Sequence, residues 1–517
     1  MIRRLLSSRF IRILLWMFIT LVTVLVLLYV WTNWSGRRRW AATTAMLERE
    51  GETLDFRKLL PETPPPAQNL LAIEPLDGIT EAVDHDEAKG APGAKRKALA
   101  EMKLNSVAPH SRGVETGSGT DMQRWATYLR ESKFLDLPAE PATIPEPGAA
   151  VLKALDARFP VLRQLAALAP QRSQAMFTPG MRERELPEML FALALRHYAG
   201  AQNLARLLCL RARAAMDAKL GAEAMRSLLA AEKIAIACES EPLLIGCLVG
   251  FAAETMVNES LWEGLRQRLF TDAELQTLQS LIGSHDLDKV LLQAFRGERA
   301  CAVSSLGWMQ NASGSRKTMP SKEFPEFANE IFGLSLRRIK IVPDGLFHHW
   351  MSVIAEMEWK YAVRPLRDGG IREALKEGGA MKAELDAHES RPDYYLPRMA
   401  LPAFSTVCAN AAMVQARQRQ VLTAIALERF FLKHGKYPAT LRELVPEWIP
   451  AVPPDPLNGR EMNYHTTAAG RYTLWCVGID GKDDEGQVNK NGVAMRSQAY
   501  LGDWTWSYEP VKTDAKK

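Results

Sequence analysis

The sequence predicts a mainly α protein with a single N-terminal transmembrane helix, an irregular helical domain, and a small C-terminal α+β domain with a short antiparallel sheet. Three observations predict it. An uncharged run spans Ile13 to Gly36, apolar residues recur with a helical period from Asp121 to Ser390, and the stretch after Gly435 breaks into short alternating segments bounded by Gly, Pro and Asn.

The N-terminal run has the length of a membrane crossing, which takes about 20 apolar residues at about 1.5 Å each. Thirteen residues from Ile13 to Val30 are Ile, Leu, Phe or Val. On the insertion scale they contribute about −4 to −8 kcal/mol. Trp16, Tyr29, Trp31 and Trp34 lie near the ends, where amphipathic rings prefer the headgroup layer. The following Thr32-Asn33-Trp34-Ser35-Gly36-Arg37 lacks a small-x-small cleavage pattern, so a retained anchor is expected rather than a removed signal peptide. Arg3, Arg4, Arg9 and Arg12 outnumber Arg37, Arg38 and Arg39, which points to a cytoplasmic N-terminus.

Composition narrows the function classes. The chain has 517 residues, 47% of them hydrophobic, enough for two or three domains with buried cores. Its 65 basic and 60 acidic residues include seven arginines before Trp40; the remainder is nearly neutral, and no nucleic-acid partner is expected. Six cysteines (Cys209, Cys238, Cys247, Cys301, Cys408, Cys476) form no C-x-x-C pair and are expected to pack as small hydrophobes.

Five segments follow: an anchor over 1–36, a juxtamembrane helix and flexible spacer over 37–120, a helical domain over 121–390, a long helix with the α+β domain over 403–510, and a disordered tail over 511–517. Ala41 to Leu60 reads as a short charged helix ended by Pro61-Glu62-Thr63-Pro64-Pro65-Pro66. The spacer is rich in Gly, Pro and mixed charge, and Lys95-Arg96-Lys97 reads as a solvated turn. Ala201, Leu204, Ala205, Leu208, Ala212 and Ala215 share one helical face, with Gln202, Arg206, Arg213 and Asp217 off it. A break at Gly221 and a second helix to Cys238 make a hairpin. Helices are further expected over Glu241–Leu269, Asp272–Ile282, Leu287–Arg296, Gly345–Val363 and Phe404–Lys433, without a sustained 34-residue repeat.

Near the C-terminus, Gly435 should cap the long helix in a left-handed conformation, and Thr440 with Glu443 should form a capping box. Strands are expected at Glu461–Thr466, Arg471–Val477 and Trp504–Tyr508. The helix, Tyr437-Pro438, the Asp455-Pro456 turn, the Tyr472-Thr473-Leu474 strand and the Gly478-Ile479-Asp480-Gly481 loop together resemble the globular domain of the major pseudopilins of type II secretion. The resemblance covers Ala411 to Tyr508, about a fifth of the chain. It implies an extracytoplasmic domain and a calcium site, carried here to Asp480, Asp484 and Asp503. The chain departs from that family at its start. Met1 to Trp34 holds no acidic residue and no prepilin-peptidase site, and roughly 370 residues separate anchor from domain. A domain borrowed onto another architecture is implied, not a fibre subunit.

No zinc-protease, serine-hydrolase, phosphate-loop or dinucleotide motif is present. His348-His349 point about 100° apart on a helix, and Asp344, Glu356 and Glu358 read as a charged helix face. Trp504, Trp506 and Tyr508 line one sheet face as core. The expected function is that of a bacterial inner-membrane protein, inserted in lipid through residues 13–34, with its bulk in the periplasm. It is expected to act non-catalytically on an envelope protein partner, near a type II secretion or pilus-like assembly. The alternatives are an envelope enzyme with its site in the helical domain, and a helical-repeat module that binds peptides.

Overall fold

The computed structural model describes residues 9–76, 101–104, 117–139, 141, 143–183, 196–314, 342–401, 404–479, 481–486 and 502–509. Helix α1 runs unbroken from Arg9 to Arg49. This corrects the expected division into an anchor and a separate helix from Ala41: Gly36 does not break α1, and the chain turns only at Gly51, in a left-handed conformation with φ 76°. A four-residue helix α2 (Phe56–Leu59) follows, its Asp55 cap accepting from the Arg57 N–H at 3.1 Å.

Every residue from Arg12 to Trp31 is exposed, and burial begins at Thr32. The exposed apolar part, Ile13–Trp31, is about 28 Å long at 1.5 Å per residue, close to the thickness of a bilayer's hydrocarbon core. It is long and apolar enough to span a membrane, with mean hydropathy 2.8. A second helix, Leu244–Arg266, has the length and a mean hydropathy of 1.2, but 56% of its apolar window is buried inside the body, as in a core helix.

The body is helical. Helices α3 (Met122–Glu131), α4 (Pro147–Arg158) and α5 (Pro160–Leu168) cover one side of a central trio: α6 (Arg196–Asp217), α7 (Gly221–Glu239) and α8 (Leu244–Arg266). The predicted α6 face is buried at every position from Ala201 to Ala215, and the hairpin packs α6 against α7. The reversal falls at Lys219 and Leu220, so Gly221 opens α7 instead of breaking it; a Cβ there would lie 2.2 Å from the Leu269 carbonyl oxygen. Arg211 and Arg213, on the helix rim in a simple two-sided reading, are also buried. Arg211 is held by Asp156 at 2.7 Å and Ser227 at 2.8 Å, and Arg213 donates to Ser260 at 3.0 Å. A helix covered on all sides must pair its charges internally.

Helices α9 (Asp272–Gly283), α10 (Leu287–Gly314), α11 (Asp344–Glu358) and α12 (Arg364–Ala387) complete the shell, with a π-helical turn at Trp359–Val363 joining α11 to α12. A short α13 (Tyr395–Ala400) precedes the long α14 (Phe404–His434), which packs on α8, α9 and α12. Gly435 has φ 71°, and both bonds of the Thr440/Glu443 capping box are present, starting a 3-10 turn at Leu441–Leu444. Strands β1 (Asn463–Thr466), β2 (Tyr472–Cys476) and β3 (Trp504–Ser507) form an antiparallel sheet in the order β1-β2-β3, with Leu474 opposite Trp506. Trp504, Trp506 and Tyr508 are core residues, as expected, and the intervening Thr505 and Ser507 are buried too because β3 is covered on both faces. The six cysteines are free, and five are buried.

Candidate functional site

Three places bear on function: the docking of α1, the acidic C-terminal loop, and a buried carboxylate cluster in the body. The first is a close helix crossing. A Cβ at Gly36 would lie 2.1 Å from the Gly345 carbonyl oxygen, and one at Gly345 would lie 2.0 Å from that of Thr32. The two backbones therefore touch where both lack side chains. The Gly345 N–H donates to Asn33 Oδ1 at 2.7 Å, Ser35 meets His349 Nε2 at 3.1 Å, and Arg39 pairs with Glu356 at 2.7 Å and Asp393 at 3.1 Å. His348 and His349 thus do not share a site. Burial, and then Arg37 and Arg39 respectively, holds their pKa values below the ordinary imidazole range, and neither pairs with a carboxylate among the described residues. Of the acids expected to form a charged face, Glu356 does so, but Glu358 is buried against Glu298 and Arg299, with its carboxyl pushed upward chiefly by burial.

The acidic loop is only partly within the described residues. Asp480 lies outside them. Asp484 is exposed, and its backbone N–H donates to Asp503 Oδ2 at 2.9 Å, as does that of Gly486 at 2.7 Å. Asp503 is buried, its Oδ1 has no hydrogen-bond partner among the described residues, and burial followed by the charges of Asp483 and Asp484 raises its carboxyl to about 6. Asp483 is occupied elsewhere, accepting from the Trp475 indole at 2.9 Å. Among the described residues this loop does not bring three ligand atoms within 4.8 Å of one another.

The body does so once. Glu239 from the end of α7, Glu254 from the middle of α8 and His285 from the turn between α9 and α10 each present one ligand atom, all within 4.8 Å of one another. His285 Nε2 meets Glu239 Oε2 and lies 3.9 Å from Glu254 Oε1. Gly250 on α8 makes room for this: a Cβ there would sit 2.5 Å from Glu239 Oε1. Two turns before Glu239 on the same α7 face is Glu232, 2% exposed, whose charge acts on both His285 and Glu239. Glu232 Oε2, Glu239 Oε1 and both oxygens of Glu254 are buried without a hydrogen-bond partner among the described residues. The contrast with the neighbouring Glu241 is sharp. Its two oxygens accept from Thr178 at 3.0 Å, His197 at 3.0 Å and Tyr198 at 2.5 Å, so its burial is satisfied.

Burial raises all three carboxyls of the cluster, Glu232 to about 7, and their mutual repulsion pushes Glu239 and Glu254 further the same way. Burial also lowers His285, against the charges of Glu232 and Asp286. A pH dependence follows. The folded chain keeps protons on these carboxyls that the unfolded chain releases above about pH 4.5. Their contribution is therefore complete below the unfolded value and is lost as pH rises through the folded one. In chelator-containing buffer, stability is expected to fall by a few kcal/mol between about pH 5 and pH 8. Urea denaturation across that range checks it, and a midpoint that rises or stays level refutes it. Glu298, Glu428 and Asp503, also raised, act with the same sign, and the lowered His285, His348 and His349 offset part of it with the opposite sign. No sequence motif marks the cluster. The available signal is Glu254 itself, the single charged residue between Pro242 and Asn258 in an otherwise apolar helix.

No protein-family model matches this chain, and neither a curated protein nor a solved structure is significantly similar to it.

Proposed function

We propose that this chain is a single-pass protein of a bacterial inner membrane, with a cytoplasmic N-terminus and a folded extracytoplasmic body that works through contact with an envelope protein partner. One observation carries the reading. The apolar residues of Ile13–Trp31 are exposed around the whole circumference of α1, while the same helix from Thr32 onward is docked into the body. Water would have to hydrate that entire surface; lipid does not. The docked half also fixes the body close to the bilayer surface, where a partner in the same membrane is within reach. The resemblance of Ala411–Tyr508 to pseudopilins supports a place near a type II secretion or pilus-like assembly, with calcium at Asp480, Asp484 and Asp503 as part of that reading; the buried, unpartnered Asp503 Oδ1 favours it.

The test is retention in membranes. Wild-type chain is expected to stay in the pellet after alkaline washing, and a reporter after Lys517 to be active only outside the cytosol. Leu21→Arg with Leu25→Arg adds about 5–7 kcal/mol to insertion, enough to offset most of the favourable −4 to −8 kcal/mol, and should release the protein. Wild type found in the wash, or a reporter active in the cytosol, overturns the proposal.

A second reading, an enzyme with its site in the helical body, is favoured by the convergence of Glu232, Glu239, Glu254 and His285.

A further inference from the structure

We infer that Glu239, Glu254 and His285, with Glu232 as a fourth carboxylate beside them, bind one divalent first-row transition-metal ion in the interior of the helical body. The inference begins from an imbalance of donors and acceptors. Four buried carboxylate oxygens, on Glu232, Glu239 and Glu254, have no hydrogen-bond donor among the described residues. Other buried charges are paired, as Glu241, Glu52 and Arg211 show. Elsewhere among the described residues, unpartnered atoms such as Arg299 Nε, Glu358 Oε2 and Asp503 Oδ1 are scattered, whereas here four carboxylate oxygens gather in one place. Glu254 is the sharpest case: it is 3% exposed, neither oxygen accepts a bond, and one of them lies 3.9 Å from the His285 ring nitrogen.

Several carboxylates cannot all stay ionised in a low-dielectric interior without a cation among them. The described groups around the cluster supply little positive charge. His285 is the one basic group in contact with it, Asp286 adds a further acid, and Cys247 on α8 is held as a neutral thiol by burial and by Glu239, Glu298 and Glu254. A dication neutralises two of the negative charges and gives the orphaned oxygens a partner. Bundle cores often place metal sites this way, with ligands projecting inward from facing helices.

The donor set selects the class of metal. Carboxylate oxygens alone would suit magnesium or calcium, but an imidazole nitrogen shifts the preference towards zinc, iron or manganese. Ligand atoms within 4.8 Å of one another need only small side-chain rotations to reach metal–ligand distances of about 2.0–2.2 Å. Gly250 contributes by absence, since a side chain there would occupy the path of the Glu239 carboxylate. The chemistry also fixes a proton balance. Without metal, His285 Nε2 faces Glu239 and the carboxyls share protons; on binding, the metal takes the Nε2 lone pair and the carboxylate oxygens, the neutral imidazole keeps its proton on Nδ1, and the carboxyl protons pass to solvent.

The experiment uses the full chain in detergent, stripped with a chelator and titrated with Co(II) and Zn(II). Expected are one tightly bound equivalent, visible Co(II) absorption bands, and proton release that grows as pH falls from 8 to 6. Glu239→Gln, Glu254→Gln and His285→Gln are each expected to weaken binding by more than about 100-fold, beyond what losing an outer-shell partner does. The two glutamate replacements should nevertheless melt no lower than chelator-treated wild type, because each removes a buried charge. Glu241→Gln, at the satisfied carboxylate nearby, should leave the stoichiometry at one. Wild type that takes up no tight equivalent, or binding unchanged in all three ligand variants, overturns the inference and leaves the cluster neutralised by protons alone. Should a variant fail to fold, the wild-type titration with its proton release still decides. The result is independent of membrane retention, so this inference and the anchor reading can fail separately.

Discussion

Replacing Glu52 with alanine is expected to destabilise the folded body by about 3–5 kcal/mol, the range for removing one partner of a buried ion pair. Glu52 follows the turn that ends α1, and its side chain is fully buried. Its carboxylate accepts from Arg296 Nε at 2.9 Å and Nη2 at 2.6 Å, and from Arg299 Nη2 at 2.6 Å. Arg299 is itself completely buried, so the alanine variant leaves a guanidinium in the interior without its counter-charge. Burial alone would raise the Glu52 carboxyl; the two arginines outweigh it and hold it below the usual carboxylate range. Its contribution is therefore present above the unfolded value, near pH 4.5, and is lost as pH falls through the depressed folded value. Glu52→Gln, which keeps the shape and one acceptor oxygen, should cost less than alanine. Urea midpoints for the three proteins at pH 7 give the answer, and an alanine cost under about 1 kcal/mol would show that the pair contributes little. This pair joins the chain just after α1 to α10.

Trp262→Ala should cost a similar 3–5 kcal/mol, with its effect centred on the C-terminal sheet. The Trp262 ring is fully buried on α8, its indole N–H donates to the Ser507 carbonyl at 2.9 Å, and it packs on Tyr508 at 5.7 Å between centroids. Ser507 is the residue on β3 opposite Thr473, so the bond ties the sheet's last strand directly to the helical body. Trp262→Phe restores most of the packing without the donor and should recover more than half the loss. Hydrogen exchange provides the localised readout: amides of β2 and β3 should lose protection before those of α6 and α7. Uniform loss of protection across the chain would mean that the tryptophan supports the whole core and not the junction with the sheet.

Much of the local structure was legible because it depends on neighbours in sequence. The long helix ending at Gly435, the Thr440/Glu443 box and the three strands appear within two residues of their expected bounds. Elsewhere local signals were overridden. Gly36 looked like a boundary and is instead a helical contact point, since its missing side chain serves a crossing with Gly345, more than 300 residues later. Glu358 looked like surface charge on an amphipathic helix, and packing of α10 against α11 buried it. The candidate metal ligands were illegible for the same reason. Glu239, Glu254 and His285 sit on three elements; Glu254 stands out as a lone charge in an apolar helix, but nothing in the sequence joins it to the other two.

By itself, the sequence determined a segment long and apolar enough to span a membrane, the helical character of the body and the α+β ending, because hydropathy, periodicity and capping act over a few turns of chain. Only the tertiary structure decided that the end of α1 docks into the body and that a group of acids converges in its interior. Those outcomes rest on which distant surfaces come together, and the cost of an unpaired buried charge is set by everything around it.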